Sequence, residues 1–249
     1  MKVCLAGYEQ GLCLPENDFS ICKSALQSFY TVSDKTMEQM KSCTFFLADS
    51  GAFTFMNNTK KGQNVDFDSY VDKYIDFINK WDIKYFFELD IDVVVGIQEV
   101  ERLRKKIEDG TGKKPIPVWH KSRGKDYFIK MCQDYDYVAI GGIVTKEIKP
   151  SDYRYFDWFI DVAHKNGCKI HGLGLTSMSA LIKYRFDSVD STNWVGGGRF
   201  GNLFYFNGKQ IVQHTAGTGK LKSDIHYREI NTHNFQEWCK FQQYAEVHL

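Results

Sequence analysis

Short apolar runs alternate with longer amphipathic segments along most of this chain, and that alternation limits the fold more than any single motif. KVCLA (2–6), TFFLA (44–48), KYFFEL (84–89), PIPVW (115–119), YVAIG (137–141), CKIHGLG (168–174) and FDSV (186–189) read as strands. FDSYVDKYIDFINKW (67–81) carries Phe67, Tyr70, Val71, Tyr74, Ile75 and Ile78 at helical spacing. IQEVERLRKKIED (97–109), GKDYFIKMCQ (124–133), YRYFDWFIDVAHKNG (153–167) and SMSALIKY (177–184) read as further helices, and Gly167 supplies a stop signal. Strand, helix, strand, helix implies parallel βαβ units. Seven parallel strands are counted, and the eighth is placed in GNLFYFNGKQIVQ (201–213), itself hairpin-like about Asn207-Gly208. NTHNFQEWCKFQQYAEV (231–247) reads as a terminal helix capped by Asn231 or Thr232. The pattern predicts an α/β fold, a (β/α)8 TIM-type barrel in a single domain over residues 1–249, with a doubly wound open sheet as the alternative.

Length and composition agree with that prediction. A barrel of this kind needs about the 249 residues present. With 43% hydrophobic and 15% aromatic residues the chain can bury a large core. Only 4 Pro and no low-complexity tract argue against a long linker. The 32 basic and 31 acidic residues nearly cancel, so any polyanion contact must come from a local patch. Seven Cys are dispersed with no CxxC pair, which predicts no zinc knuckle and fits small core thiols in a reducing compartment. No HxH or HExxH is present, so neither a metal site nor a cofactor is expected. MKVCLAGYEQG is too short and too quickly polar for a signal peptide, and no run approaches the length of a membrane span. A cytoplasmic protein without membrane contact is expected.

The strand ends carry the chemistry. In a barrel of this type, catalytic residues come from the C-terminal ends of strands. Here those ends hold Asp49, Asp90 with Asp92, His120, Gly141-Gly142, His171-Gly172 and Asp190. Acidic residues that end apolar strands are poor core choices and reasonable choices for one shared pocket. Asp49-Ser50-Gly51-Ala52-Phe53 either caps the next segment or offers an acid or base, with room for a ligand at Gly51 and a stacking face at Phe53. In ELDIDVVVG (88–96), Glu88, Asp90 and Asp92 share one face of an extended chain by the period of two. They are either an exposed acidic edge or acceptors for ligand N–H groups, such as those on a guanine edge. In FDSVDSTNW (186–194) the same period sends Asp187 and Asp190 to opposite faces, so one carboxylate is structural and the other reactive. Ser191-Thr192-Asn193 is also a plausible cap. His120 and His171 end strands, a place where histidine is more often hydrogen-bonded structure than catalyst. DGTGKK (109–114) and AGTGK (216–220) do not complete GxxxxGK[ST] and read as turns.

The order of these motifs resembles the tRNA-guanine transglycosylase superfamily, which exchanges guanine for a 7-deazaguanine on a (β/α)8-type scaffold. The family's Asp-Ser/Thr-Gly-Gly-aromatic strand end is matched by Asp49-Ser50-Gly51-Ala52-Phe53. Its recognition strand is matched by Glu88-Leu89-Asp90, its Gly-Gly strand end by Gly141-Gly142, and its Gly-x-Gly strand by Gly172-Leu173-Gly174. Its Asp-x-Phe-Asp-Cys/Ser nucleophile strand is matched by Asp187-Ser188-Val189-Asp190-Ser191. The likeness covers about residues 44 to 195. It departs from the tRNA enzymes at the CxCxxC…H zinc site, since only Cys239 follows Asp190. Ala52 stands for a Gly, and no RNA-binding extension is visible. The chain is more similar to the phage and bacterial branch that inserts 7-deazaguanines into DNA.

That resemblance implies a set of roles. Asp190 is the nucleophile, preferred over Asp187, and Asp49 is the general acid/base. Asp90 reads the base, with Phe53, Gly141, Gly142, His120 and Asp92 around it and Trp119 nearby. Beside that resemblance, the basic residues near the mouth, Lys121, Arg123, Lys125 and Arg199, either hold the nucleic-acid backbone or are solvated surface charge. The implied partners are DNA, ahead of tRNA, and a 7-deazaguanine such as preQ0 or preQ1. Competing expectations are a tRNA-guanine transglycosylase, a (β/α)8 glycoside hydrolase using Asp49 and Asp190, and a non-catalytic barrel that binds a base or nucleic acid.

Overall fold

The computed structural model describes residues 1–7, 12–52, 54, 66–196, 200–215 and 226–249. Seven strands form one parallel sheet: β1 (Lys2–Ala6), β2 (Ser24–Ser28), β3 (Phe45–Asp49), β4 (Val118–Trp119), β5 (Tyr137–Ile140), β6 (Lys169–Gly172) and β7 (Ser188–Ser191). Their order is β3-β2-β1-β7-β6-β5-β4, and the sheet curls into a half-barrel. Phe86 and Phe87 lie between the edge strands. Single parallel bridges join Phe86 to Ala48 of β3 and Phe87 to Ile116, just before β4.

Eight α-helices lie among the described residues: α1 (Asp34–Met40), α2 (Phe67–Lys80), α3 (Asp92–Val95), α4 (Ile97–Thr111), α5 (Gly124–Asp134), α6 (Phe156–Lys165), α7 (Met178–Lys183) and α8 (Tyr227–His248). The apolar stripe of α2 buries Tyr70, Val71, Tyr74, Phe77 and Ile78, as helical periodicity requires. Asp66 caps its start by accepting from Ser69 N at 2.9 Å. Tyr74 Oη lies 3.2 Å from Ala48 O and 3.1 Å from Phe87 O. It therefore ties the helix to β3 and to the bridging segment at once. The C-terminus of α4 turns through Gly112 in the left-handed region.

The period of two sorts the sheet into faces. Cys4, Leu26, Leu47, Phe87, Val118 and Ala139 form one buried cluster on the concave side. Val3, Leu5, Val138, Ile140, Ile170 and Val189 belong to the cluster under the helices. Each fully buried aliphatic side chain contributes about 1.5–3 kcal/mol relative to exposure.

Three expectations about the fold need correction. The segment 201–213 is a hairpin about Asn207-Gly208, but its strands β8 (Asn202–Phe206) and β9 (Ile211–Thr215) form a separate antiparallel sheet. The place between β7 and β1, where an eighth strand would close the barrel, is filled, because β1 pairs directly with β7 from Lys2↔Ser188 to Leu5↔Ser191. Side chains of α8 take its outer edge instead: Phe204 N donates to Asn234 and Phe206 N to Glu237. The additional parallel strand is β2, SALQS, whose polar residues hid it. Gln242 of α8 ties the start of β2 to the rest of the fold, donating to Val3 O and Ser24 O and accepting from Lys23 N. Finally, α8 begins four residues earlier than predicted and is capped by His226, which accepts from Arg228 N. Asn231 and Thr232 lie inside it and hold the N-terminal segment through Leu12 O and Leu14 N.

Candidate functional site

The C-terminal ends of the parallel strands open on one side of the half-barrel, and carboxylates gather there. Asp49 is the last residue of β3 and Asp190 the third residue of β7. Asp90 follows the bridging segment. Burial raises the Asp49 carboxyl first, Asp90 raises it further, and Asp190 adds to that. The Gly51 amide and the Ser28 hydroxyl pull the other way, and the net result is a value of about 7. The charges of Asp90 and Asp190 thus both reach Asp49. The turn after Asp49 requires glycine. Gly51 has φ +68°, and a Cβ there would lie 2.6 Å from both Ser28 Oγ and Tyr30 Cβ. Its amide donates to Asp49 Oδ2 at 3.1 Å.

Asp190 and Asp187 diverge, as a regular strand demands. Asp187 accepts from Ile170 N at 2.9 Å and pairs with His164 of α6 at 2.9 Å. It is a partly exposed tie between β6, β7 and a helix. Asp190 faces the concave side. Its Oδ1 accepts from Gly174 N at 2.6 Å and lies 3.2 Å from His171 Nε2. Both contacts fall on one oxygen, and Oδ2 has no hydrogen bond among the described residues.

Asp90 pairs with His120, Oδ2 to Nε2, at 3.4 Å. His120 Nδ1 faces Glu147 Oε2 at 3.3 Å. Burial, the largest single influence, lowers the imidazole pKa, but the hydrogen bond and charge of Asp90 together with the charge of Asp92 make the net shift upward. The Gly141-Gly142 pair packs against this group. A Cβ on Gly141 would sit 2.7 Å from the His120 ring, and one on Gly142, at φ +80°, would sit 2.8 Å from Glu147 Oε2.

Several expected pocket members are elsewhere. Chain pairing stops after Phe87, so Glu88, Asp90 and Asp92 do not share a face. Glu88 is fully buried between Arg104 at 3.1 Å and Arg123 at 2.8 Å, and accepts from Val118 N. Asp92 starts α3 and pairs with Arg123 Nε at 3.0 Å. Arg123 therefore does not reach outward to a phosphate: its side chain is 1% exposed between Glu88 and Asp92. Trp119 is core, its ring 4.6 Å from that of Phe159 and its Nε1 donating to Gly124 O. The Gly141 amide is used by Trp119 O at 2.8 Å. Lys121 and Lys125 are exposed, the first 3.9 Å from Asp152 and the second over the Trp158 ring. Phe53 and Arg199 lie outside the described residues.

Sequence reasoning passed over the support beneath Asp190. His171 is fully buried, and its Nδ1 meets Ser188 Oγ, which in turn meets Tyr137 Oη. The alternation that pairs Ser188 with Asp190 on one face was the available signal. Glu147 gave none beyond its position after Gly141-Gly142.

Among the described residues, no group of three or more His, Cys, Asp or Glu is placed to hold a metal ion. None of the seven cysteines, all among the described residues, forms a disulfide. No described helix is long and apolar enough to cross a membrane.

No family model matches this chain, and no curated protein does. Among solved structures it is similar to the carboxyl transferase domain of Rhizobium etli pyruvate carboxylase with 3-bromopyruvate. Identity is 14% and the TM-score is 0.45, over 98% of this chain and 48% of that one. The chain thus spans about half the length of that structure, and a likeness at this level carries no argument about function.

Proposed function

We propose that this protein is a base-exchange transglycosylase of the tRNA-guanine transglycosylase type, acting on guanine in DNA and inserting a 7-deazaguanine. The observation that carries the reading is the meeting of Asp49, Asp90 and Asp190 at three separate strand ends, with Asp49 raised to about 7 by burial and by the other two. The half-barrel is read here as a (β/α)8 scaffold whose fourth stave, around Phe86–Phe87, is reduced to single bridges.

Replacing a base at C1′ with retained configuration takes two displacements. In the first, Asp190 Oδ2 bonds to C1′ as the C1′–N9 bond breaks, and Asp49 gives its proton to the departing guanine. In the second, Asp49 takes the proton of the incoming base, that nitrogen bonds to C1′, and the ester electron pair returns to Asp190. A carboxyl titrating near neutral pH suits both transfers. Asp90, oriented by His120, accepts from N1–H and the exocyclic amine of the base. The Gly142 amide is the backbone donor for the carbonyl oxygen, since that of Gly141 is already paired. A guanine in duplex DNA must leave the stack to enter, at about a few kcal/mol. Phe53 is assigned the stacking face by resemblance alone. Lys121 and Lys125 supply backbone contacts.

The test is incorporation of radiolabelled guanine or a 7-deazaguanine into duplex DNA, single-stranded DNA and tRNA in parallel. Label in DNA only supports the reading as stated. Label in tRNA only keeps the chemistry and overturns the substrate. Cleavage of an oligosaccharide with no label in any nucleic acid sinks it in favour of a glycoside hydrolase.

A further inference from the structure

Below the three carboxylates, four side chains form a buried chain of hydrogen bonds: Tyr137 Oη to Ser188 Oγ, Ser188 Oγ to His171 Nδ1, and His171 Nε2 to Asp190 Oδ1. Nothing in the proposed exchange reaction uses its first three members. All four are closed off from solvent or nearly so: Asp190 is 8% exposed, Tyr137 7%, and Ser188 and His171 0%.

The far end of the chain fixes its direction. Tyr137 Oη–H is neutral, its pKa pushed up by burial. Its one hydrogen-bond partner among the described residues is Ser188 Oγ. A buried hydroxyl hydrogen without an acceptor is strongly disfavoured, so Tyr137 donates to Ser188. Ser188 has one hydrogen of its own, and the remaining partner for it is His171 Nδ1. Nδ1 must then accept and carries no proton. The imidazole hydrogen is left on Nε2, facing Asp190 Oδ1 at 3.2 Å. The opposite direction would leave the tyrosine hydrogen with nowhere to go.

We infer that His171 is a positioning residue for the Asp190 nucleophile, locked as the Nε2–H tautomer by Tyr137 and Ser188. This rests on the transglycosylase reading above. The lock gives Asp190 Oδ1 a second N–H donor beside Gly174 N, which lies 2.6 Å away. With Oδ1 held twice, Oδ2 is the oxygen presented to C1′. In the covalent ester Oδ1 becomes the carbonyl oxygen. When the incoming base bonds to C1′ and displaces Asp190 from the sugar, the C1′–Oδ2 bond breaks and its electron pair returns to the carboxylate. The His171 and Gly174 hydrogens are already aimed at the oxygen that shares the charge. The same device acts in reverse as the ester forms, so no reagent beyond the two bases is needed.

Two measurements on the intact protein test this, one of them independent of activity. The first is a nitrogen spectrum of protein labelled with 15N-histidine, with the His171 signals assigned by their loss in His171→Gln. Protonated Nε2 with unprotonated Nδ1 is expected, and Ser188→Ala should release the tautomer. A proton on Nδ1 in the unaltered protein overturns the lock. The second is single-turnover exchange. His171→Phe keeps the ring shape and removes the donor; it should slow resolution of the trapped ester by roughly 10- to 100-fold, while KM for the base changes little. His171→Gln, whose amide can stand at the Nε2 position, should recover part of that loss. Equal rates in His171→Phe and the unaltered protein, with both folded by circular dichroism, overturn the positioning role. Absence of exchange by the unaltered protein overturns the transglycosylase reading and the role in exchange with it, while the tautomer remains readable in the spectrum.

Discussion

Gly174 N donates to Asp190 Oδ1 at 2.6 Å, and Gly174 does so from φ +67°. That left-handed conformation favours glycine. A Cβ at this position would also lie 2.2 Å from Val144 Cγ2. Gly174→Ala should therefore cost about 1 kcal/mol of stability and slow exchange about tenfold, as the amide moves off the carboxylate. Urea unfolding and the exchange assay read the two effects. Adding Val144→Ala removes the clash but not the backbone strain, so the double variant should recover only part of the loss. Full recovery would assign the cost to Val144 instead.

The proposed reading gives the two aspartates of FDSVDSTNW different roles, Asp187 structural and Asp190 chemical, and paired variants measure that separation. Asp187→Ala loses the Ile170 amide contact and the His164 pair. It should cost about 1–2 kcal/mol and leave exchange within about threefold. Asp190→Ala should abolish covalent trapping and lower exchange on the order of 10⁴-fold, with a smaller effect on unfolding. If exchange dies with Asp187 and survives loss of Asp190, the nucleophile has been misassigned.

How legible the site was in the sequence depended on whether chain geometry stayed regular. At FDSVDSTNW the strand is regular, and the period of two separates Asp187 from Asp190 correctly. At ELDIDVVVG the strand ends at Phe87, and the same rule fails: Glu88 turns to Arg104 and Arg123, and Asp92 begins a helix. Helices such as α2 were readable because their apolar stripes are continuous. Strand β2 was not, because Ser24 and Gln27 are polar residues that the fold buries, and the Ser24 carbonyl is held by Gln242, more than 200 residues away in sequence. The His171–Ser188–Tyr137 chain joins three strands: alternation puts Ser188 on the Asp190 face, but which residues it meets across strands is not written in one sequence.

Asp49 makes stability depend on pH in a stated direction. Its carboxyl rises from the ordinary 3.8 to about 7 in the folded chain. Between those values the folded chain holds a proton that the unfolded chain releases. Stability then falls as pH rises through this window, and the penalty is complete above about pH 7. Asp49→Asn cannot titrate, so it should gain about 1 kcal/mol over the unaltered protein on going from pH 5 to pH 8, after allowance for solvent at the mouth. Urea midpoints at the two pH values check this, and identical differences at both would remove Asp49 as the cause. In the exchange assay kcat/KM should decline above about pH 7, as the acid form that protonates the leaving guanine is lost. Asp49→Asn should lower exchange by about 10²- to 10⁴-fold.

The basic residues around the site divide by burial, and salt dependence separates them. Arg123 is 1% exposed and, with Arg104, neutralises a Glu88 that is fully buried. Arg123→Ala should cost about 3–5 kcal/mol, because it leaves part of the Glu88 and Asp92 charge buried without its partner. At temperatures where the variant is still folded, its affinity for DNA should keep the same dependence on salt. Lys121 and Lys125 are exposed. Replacing either with Ala should leave the unfolding midpoint nearly unchanged and reduce the slope of log affinity against log salt by about 1. Fluorescence anisotropy of labelled duplex DNA over a salt series gives these slopes. A lower slope for Arg123→Ala, with none for Lys121→Ala or Lys125→Ala, would mean that the ion-pair network opens on binding and that the nucleic acid, not Glu88, takes the guanidinium.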